Sequence, residues 1–286
     1  MKQPVIAGIG EVLWDIYPDA AHFGGAPANF ASHAAMLGAE SWMVSAVGAD
    51  AHGDKALRAL SDLGVNTDRV ARDPDHATGQ VLVTLDGQGV PRYEIALDSA
   101  WDHLAWSADL AAFAERCDAV CFGTLAQRSP DSRATIRRFV EAVPRHALRI
   151  FDVNLRQRFY DRDTIEMSLR HASAVKLNAE ELPIVTQLLG LGGYSHRELL
   201  RQLMDTYDLR LAALTRGPAG ALLVDDRGED DCPAPPTVVV DTVGAGDAFT
   251  ASLVVDVLHG LPLSEINRRA NALASLVCSR AGATGS

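Results

Sequence analysis

Short apolar segments alternate with longer amphipathic ones along most of this chain, and this alternation limits the folds that are open to it. The apolar segments are rich in β-branched residues and are predicted as strands at 5–10, 41–48, 118–125, 148–155, 173–178 and 209–217. Helical patterns stand between them, as in PANFASHAAMLGA, GDKALRALSDLG, SPDSRATIRRFVEAV and SHRELLRQLMDTY. Strands that alternate with helices form βαβ units, so we predict an α/β fold with a mostly parallel sheet.

Polar residues collect where these predicted strands end, namely Asp152, Asn154, Asn178 and Thr215. In open α/β sheets, ligands bind outside the carboxyl ends of the strands. We therefore expect the functional site at this edge of the sheet.

Two segments depart from the alternation. Residues 79–97 form two alternating strands around a DGQG turn, which is typical of a β-hairpin. Together with VLWDIYP at 12–18, the hairpin predicts a small antiparallel sheet beside the main domain, made of about 11–24 and 77–100. We interpret this sheet as a lid, the alternative being a surface excursion. The acidic, proline-rich piece DDRGEDDCPAPP at 225–236 is predicted as a turn and loop connection.

Composition narrows the class of protein. Of the 286 residues, 48% are hydrophobic and 22% charged, and the formal net charge is -11, which argues against nucleic-acid binding. The sequence holds no apolar run of about 20 residues, and acidic residues interrupt the N-terminal apolar stretch, so neither a membrane span nor a signal peptide is expected. The four cysteines form no CxxC pair and fit buried thiols of a reducing compartment. We expect a cytoplasmic protein.

The strongest single motif is VVVDTVGAGDAF at 238–249. It predicts a short apolar strand, a loop of small residues at Gly244, Ala245 and Gly246, and then an apolar helix. Small residues let the backbone approach a ligand, and amides at a helix N-terminus favour an anion such as a phosphoryl group. Asp247 lies in the first turn, where it can act as a base at the same place. The alternative is a helix-capping aspartate.

Other nucleotide and hydrolase motifs are missing from the sequence. It contains no GxxxxGK[ST], HExxH or GxSxG. Gly8-Ile9-Gly10 begins a dinucleotide-binding turn, but Leu13 stands where the third glycine is needed. A nicotinamide dehydrogenase is therefore disfavoured.

A second polar set lies near the N-terminus. Gly24 and Gly25 predict a turn, Pro27 fits the first turn of a helix, Asn29 follows in that turn, and Asp15 precedes the glycines. A carboxylate and a carboxamide near bare glycine amides can bind sugar hydroxyls, because each hydroxyl both donates and accepts a hydrogen bond. Asn29 could instead make a local hydrogen bond at the helix end.

GGAPANFA at 24–31 and DTVGAGDAF at 241–249 resemble the two signatures of the ribokinase-like (PfkB) carbohydrate kinases, and the resemblance extends over nearly the whole chain. It implies a single domain over 1–286 with a three-layer α/β/α architecture, a mostly parallel sheet and a small β-sheet lid. It also implies transfer of the γ-phosphoryl group of MgATP to a sugar.

The resemblance assigns roles to individual residues. Asp247 matches the family's catalytic base, and the amides of Ala245, Gly246 and Asp247 match its anion hole beside Gly244. Sugar-binding positions match Asp15, Gly24, Gly25 and Asn29, with Asp247.

KLNAEEL resembles the family's NxxE motif, which implies that Asn178 helps to arrange the phosphates and that Glu181 serves Mg²⁺ through water. On the residues alone, Asn178 could be a strand-end cap and Glu181 a helix-dipole partner. LTRGPAGALLV resembles the strand-turn-strand at the nucleotide. The remaining implied positions are Thr215, Gly217, Gly220 and Asn271 for ATP, and Asp241 and Val243 for a monovalent cation such as K⁺. Asn271 could also be an exposed helix residue.

FDVNLRQRFY at 151–160 and GEVLWDIYP at 10–18 most resemble the fructokinase branch, which implies D-fructose as the acceptor. Two alternative functions stay open: a kinase for another acceptor (a ketogluconate, ribose, a nucleoside or a cyclitol) and a non-catalytic sugar sensor. The partner of Arg156 is also open, and it could be a phosphate or a surface acid. Relatives usually continue beyond the GAT that precedes Gly285, so the chain looks short. An exposed lid edge would allow a homodimer.

Overall fold

The alternating pattern of the sequence forms one large sheet and one small sheet in a computed structural model, which describes residues 3–85 and 91–284. The strands are β1 (Val5–Ile9), β2 (Leu13–Ile16), β3 (Ala21–Gly24), β4 (Glu40–Gly48), β5 (Val70–Asp73), β6 (Gly79–Leu85), β7 (Pro91–Ile95), β8 (Ala119–Phe122), β9 (Leu148–Asp152), β10 (Ala174–Asn178), β11 (Leu211–Thr215), β12 (Ala221–Asp225) and β13 (Glu229–Cys232).

The helices of the described residues are α1 (Ala26–Met36), α2 (Ala51–Asp62), α3 (Ala108–Ala114), α4 (Pro130–Ala142), α5 (Arg162–His171), α6 (Glu181–Leu189), α7 (His196–Tyr207), α8 (Ala245–Leu258) and α9 (Leu263–Cys278). Local side chains start several of them: Asp50 accepts from the Gly53 amide at the start of α2, and Asp161 accepts from the Thr164 amide at the start of α5. None of these helices is long and apolar enough to cross a membrane.

The large sheet has the strand order β13-β12-β11-β10-β9-β8-β1-β4-β5. Its pairs from β11 to β5 are parallel, as predicted from the βαβ pattern, while β12 and β13 add an antiparallel end. All six predicted strands and all four quoted helical patterns are present. The carboxyl ends of the parallel strands consequently share one edge of the sheet, which is where the polar residues were expected.

The sheet separates two apolar layers because successive side chains of a strand point to opposite faces. On β8, for example, Val120 packs into the cluster that contains Phe139 of α4, whereas Cys121 packs into the cluster that contains Phe249 of α8. Helices α3 to α7 thus cover one face, and α1, α2, α8 and α9 cover the other. This confirms the predicted three-layer architecture.

The small sheet has the order β3-β2-β6-β7. Its outer pairs are antiparallel, as expected, but the central pair of β2 and β6 is parallel, because both strands leave the main domain in the same direction. The predicted DGQG turn at 86–89 lies outside the described residues.

Two predictions near the C-terminal third were wrong. The acidic piece at 225–236 contains strand β13, whose charges are accommodated because it is an edge strand: Glu229 pairs with Arg197 at 2.8 Å, and Asp231 pairs with Arg216. Conversely, the valines at 238–240 form no strand and are exposed. The Val240 amide instead donates at 2.8 Å to the carbonyl of Cys278, the last residue of α9. The segment is therefore held against the end of that helix and joins no sheet.

Candidate active site

The glycine loop that was predicted at 244–246 forms the N-terminus of α8. Gly244 adopts a left-handed φ of 76°, and a Cβ placed there would lie 2.6 Å from the backbone of Ala283, so the position requires glycine. The amide of Ala245 reaches the carbonyl of Thr242 at 3.3 Å. Among the described residues, no hydrogen bond uses the amides of Gly246 and Asp247, and these two donors are free for an anion.

Asp247 lies in the first turn of α8 and is held from another helix. The Nδ2 group of Asn29 donates to its Oδ2 at 2.8 Å across 218 residues of sequence. Burial raises the pKa of Asp247 to about 6, and the charge of Asp152 adds to this effect; the Asn29 hydrogen bond and the charge of Lys176 oppose it. The helix N-cap is Gly244, so Asp247 is not the capping residue, and a group with such a pKa can accept a proton near neutral pH.

A buried ion pair lies beneath the loop. Lys176 of β10 donates to Asp152 of β9 at 3.0 Å, and Thr250 of α8 donates to the other oxygen of Asp152 at 2.8 Å. A Cβ on Gly246 would lie 3.0 Å from the Lys176 Nζ. Burial lowers the pKa of Lys176, but neighbouring carboxylates, Asp152 first, outweigh burial and leave it raised. Lys176 is therefore a fixed positive charge under the free amides.

The glycines at 24 and 25 join the small sheet to α1. Gly24 ends β3, and its absent Cβ would lie 3.2 Å from the Oδ2 of Asp15 on β2. Gly25 is the N-cap of α1, and its φ of 110° and a 2.5 Å approach to the carbonyl oxygen of Glu11 leave no room for a side chain. Burial raises the pKa of Asp15, with His22 and Arg156 opposing. The structure thus brings Asp15, both glycines and Asn29 together around the start of α1, as predicted.

Glu11 is a further acid at this place. Its side chain is 2% exposed, and its Oε2 has no partner among the described residues. Burial raises the pKa of Glu11 to about 7; its own amide and Arg156 lower it, and the charge of Asp247 raises it. A neutral carboxylic acid here can donate a hydrogen bond as well as accept one.

Asn178 and Glu181 lie at the carboxyl end of β10. The Oδ1 of Asn178 accepts from the amides of Glu180 and Glu181 at 2.9 Å, so the Asn178 side chain holds the turn that leads from the end of β10 into α6. Glu181 is buried, and its two oxygens accept from the amides of Leu155 and Asn178 at 2.9 Å and 2.8 Å. With both oxygens engaged, Glu181 suits an outer-sphere contact to Mg²⁺ through water, since Mg²⁺ usually retains several waters.

The predicted nucleotide residues follow on the neighbouring strands. Thr215 ends β11 beside Asn178 of β10, and the turn behind it places Gly217 at φ 56° and Gly220 at φ 78°. Asn271 of α9 is buried and donates to Asn267, which in turn donates to the carbonyl of Ala221 at 3.0 Å. The alternative of an exposed Asn271 is thereby wrong.

Asp241 and Val243 precede the glycine loop. Asp241 accepts from the amide of Val243 and from the amide of Gly282, both at 3.0 Å, and Val243 is 47% exposed. The carboxylate therefore ties the loop to the segment after α9.

Sequence reasoning did not single out Lys176, Thr250 or His33 as site residues, and it treated Glu11 only as a break in an apolar stretch. Lys176 sits two positions before Asn178 in an otherwise apolar strand, which is a signal that could have been used because buried lysines are rare. The contacts of the others depend on residues far away in the chain.

Comparison with known proteins gives the site a context. The pfkB family carbohydrate kinase profile matches residues 20–286. The fructokinase of Klebsiella pneumoniae is 30% identical over 267 residues, which cover 89% of this chain and 85% of the fructokinase. The aminoimidazole riboside kinase of Salmonella typhimurium is 28% identical over 291 residues, which cover 97% of this chain and 86% of that kinase. A crystal structure of a sugar kinase from Pyrococcus horikoshii in complex with ATP has a TM-score of 0.82 at 30% identity and covers 98% of this chain and 94% of that one.

Proposed function

The chain belongs to the PfkB family of carbohydrate kinases, and from that premise we propose that it transfers the γ-phosphoryl group of MgATP to a primary hydroxyl of a monosaccharide, with D-fructose as the first candidate acceptor. The observation that carries this proposal is the pairing of Asn29 with Asp247 beside two free helix amides. It supports the proposal because a base, an acceptor-binding group and an anion site would then share one small space. The relative that is named a fructokinase supports fructose as the acceptor.

The acceptor hydroxyl gives its proton to the Asp247 carboxylate while its oxygen bonds to the γ-phosphorus and the bond from that phosphorus to the β-phosphate oxygen breaks, so ADP leaves. The amides of Gly246 and Asp247, with the Lys176 charge beneath them, stabilise the transferring oxygens. Asp15, Gly25 and Asn29 orient the acceptor.

On the nucleotide side, we assign Asn178, Thr215, Gly217, Gly220 and Asn271 to ATP. Their support is their position along the carboxyl ends of β10 and β11 and on the adjoining part of α9.

Glu181 would hold Mg²⁺ through water, and Asp241 with Val243 would hold a monovalent cation such as K⁺. When bound, Mg²⁺ supplies neutralisation of phosphate charge.

We further propose that the small sheet, about 11–24 and 77–100, is a lid that excludes water from the acceptor. Its support is that it carries Asp15 and that Gln157, from the loop after β9, donates to the Tyr93 carbonyl of β7 at 2.7 Å. Its exposed side chains include Leu82 and Tyr93, which favours pairing with a second subunit as a homodimer. The proposed compartment is the cytoplasm.

A second candidate is a kinase of the same family for an anionic acceptor such as a ketogluconate, and Arg156 favours it. This side chain is exposed, and its described hydrogen bond goes to the carbonyl of Leu155. Its charge nonetheless lowers the pKa of both Glu11 and Asp247, which supports a position of the guanidinium near these two acids. An accessible guanidinium there could bind a carboxylate.

The test is ADP release with fructose, ribose, ketogluconate, an aminoimidazole riboside and inositol as acceptors. Fructose is expected to turn over fastest; ketogluconate alone would establish the second candidate. Asp247→Asn should retain acceptor and ATP binding and lose turnover about 100-fold or more. Unchanged turnover in that variant would refute Asp247 as the base, and no ADP release with any acceptor would favour a sugar sensor.

A further inference from the structure

His33 lies one helical turn after Asn29 on α1 and contacts the segment that lies behind the glycine loop. It is 2% exposed, and its Nε2 lies 2.9 Å from the carbonyl oxygen of Ala283, 250 residues away in sequence. A carbonyl oxygen only accepts, so this ring nitrogen carries the hydrogen. Since α1 also packs against α8, one helix holds both Asp247 and the segment behind the loop.

Ala283 packs against the first residue of the glycine loop. It is 6% exposed and sits directly against Gly244, where an added Cβ would meet the Cα, Cβ and carbonyl oxygen of Ala283 at 2.6 Å. The preceding residue, Gly282, donates its amide to Asp241 at 3.0 Å. The segment 282–283 therefore makes two contacts here, one with Asp241 before the loop and one with Gly244, the first residue of the loop.

The Ala283 carbonyl is buried, and its described hydrogen-bond donor is His33. A buried carbonyl without a partner carries a desolvation penalty, and the chain would move to regain a hydrogen bond. Any such movement removes the packing of Ala283 against Gly244. The left-handed conformation of Gly244 precedes the free amides of Gly246 and Asp247. Misplacement of catalytic groups by about 1 Å can cost about 100-fold in rate.

From this geometry we propose that His33 is a positioning residue of the kinase reaction: its hydrogen bond to Ala283 fixes the segment that holds the glycine loop in its anion-binding conformation. His33 touches neither substrate nor the reacting atoms. The inference rests on the proposed function, because it takes the loop amides as the anion site.

The test uses three substitutions that separate the hydrogen bond from packing. In His33→Gln the amide nitrogen reaches the position of Nε2, in His33→Asn it stops short of it, and His33→Leu fills the space without a donor. We expect His33→Leu and His33→Asn to lower kcat about 10- to 100-fold, while KM for the acceptor stays within about 2-fold. His33→Gln should return kcat to within about 3-fold of the unmodified protein. The affinity that aluminium fluoride adds to MgADP binding should fall with kcat, because that complex occupies the same anion site.

Ser32→Ala is the matched control, since Ser32 is buried on the same helix and its hydroxyl donates to Ala28 within α1 at 2.8 Å. Its kcat should not change. A wild-type kcat in His33→Leu would overturn the proposal, as would a His33→Gln variant that folds and is as slow as His33→Leu. If His33→Leu and His33→Asn both fail to fold while Ser32→Ala folds, His33 is structural and the proposal is wrong. No ADP release by the unmodified protein with any acceptor would refute the proposed function itself, independently of whether the His33 variants fold.

Discussion

Replacing Asn29 with leucine should move the pH dependence of the reaction, because the Asn29 amide is the hydrogen-bond donor to Asp247. The bond is 2.8 Å long and favours the ionised carboxylate, against the burial that raises the pKa of Asp247 to about 6. A hydrogen bond to a charged group contributes about 1.5–3 kcal/mol, and 1.36 kcal/mol corresponds to one pKa unit. Asn29→Leu should therefore raise the pKa of Asp247 by about one to two units.

The sign follows from the role of Asp247 as a base, which requires the ionised form. The acidic limb of kcat/KM, which reports the free enzyme, should shift to higher pH by the same one to two units. Activity should fall most near pH 6 to 7 and recover substantially near pH 9. Leucine leaves no space for a water to replace the amide and is a good helix former at this buried position of α1.

The assay is initial-rate ADP release across about pH 5 to 9.5 at varied acceptor concentration. Ser32→Ala, one turn away on the same helix, should keep the unmodified limb. A profile that is lowered uniformly with its acidic limb unmoved would refute the reasoning, because it would mean that Asn29 binds the acceptor without tuning Asp247.

Two further predictions concern the glycine and the acid at the start of α1. The folded-state pKa of Glu11, about 7, exceeds the ordinary 4.5, so its contribution to stability is full below pH 4.5 and is lost as the pH rises through 7. Glu11→Gln should accordingly raise the free energy of unfolding by about 3 kcal/mol at pH 8 and change it little at pH 5, measured by urea denaturation; equal changes at both pH values would contradict this. Gly25→Ala combines a φ of 110° with a 2.5 Å contact to the Glu11 carbonyl oxygen, and should cost about 3 kcal/mol or more and raise KM for the acceptor. Gly38→Ala, at φ 90° with open space around it, provides the control for backbone strain alone, and a cost equal to that of Gly25→Ala would argue against the clash.

The parallel part of the fold was predictable because the buried strands are mostly apolar and alternate with helical patterns. Strand β13 was not, since its acidic residues owe their place to arginines from other elements, such as Arg197 of α7. The valines at 238–240 were misjudged for the converse reason. Their sequence favours a strand, but the free carbonyl at the end of α9 takes the Val240 amide.

The site residues also fall into those that the sequence predicted and those that it did not. Gly244 and Asp247 could be identified because a left-handed glycine and a first-turn acid are local features of one loop. The partners of that loop could not, because a sequence does not display which residues meet when they are far apart in the chain. Lys176 and His33 acquire their roles only from the packing of β10 and α1 against α8.

The contact between α1 and α8 also has a consequence for how the protein is made. Phe30 and Ala34 of α1 are buried in the same cluster as Phe249 and Leu253 of α8. At about 5–20 residues per second, the 218 residues between Asn29 and Asp247 take about 10 to 45 s to translate. During that interval the part of α1 that packs against α8 has no partner, although β1 and β4, which α1 also contacts, are already made, and the nascent chain exposes this apolar surface. The last fifth of the polypeptide therefore both completes the active site and ends the period in which the growing chain is most prone to aggregate.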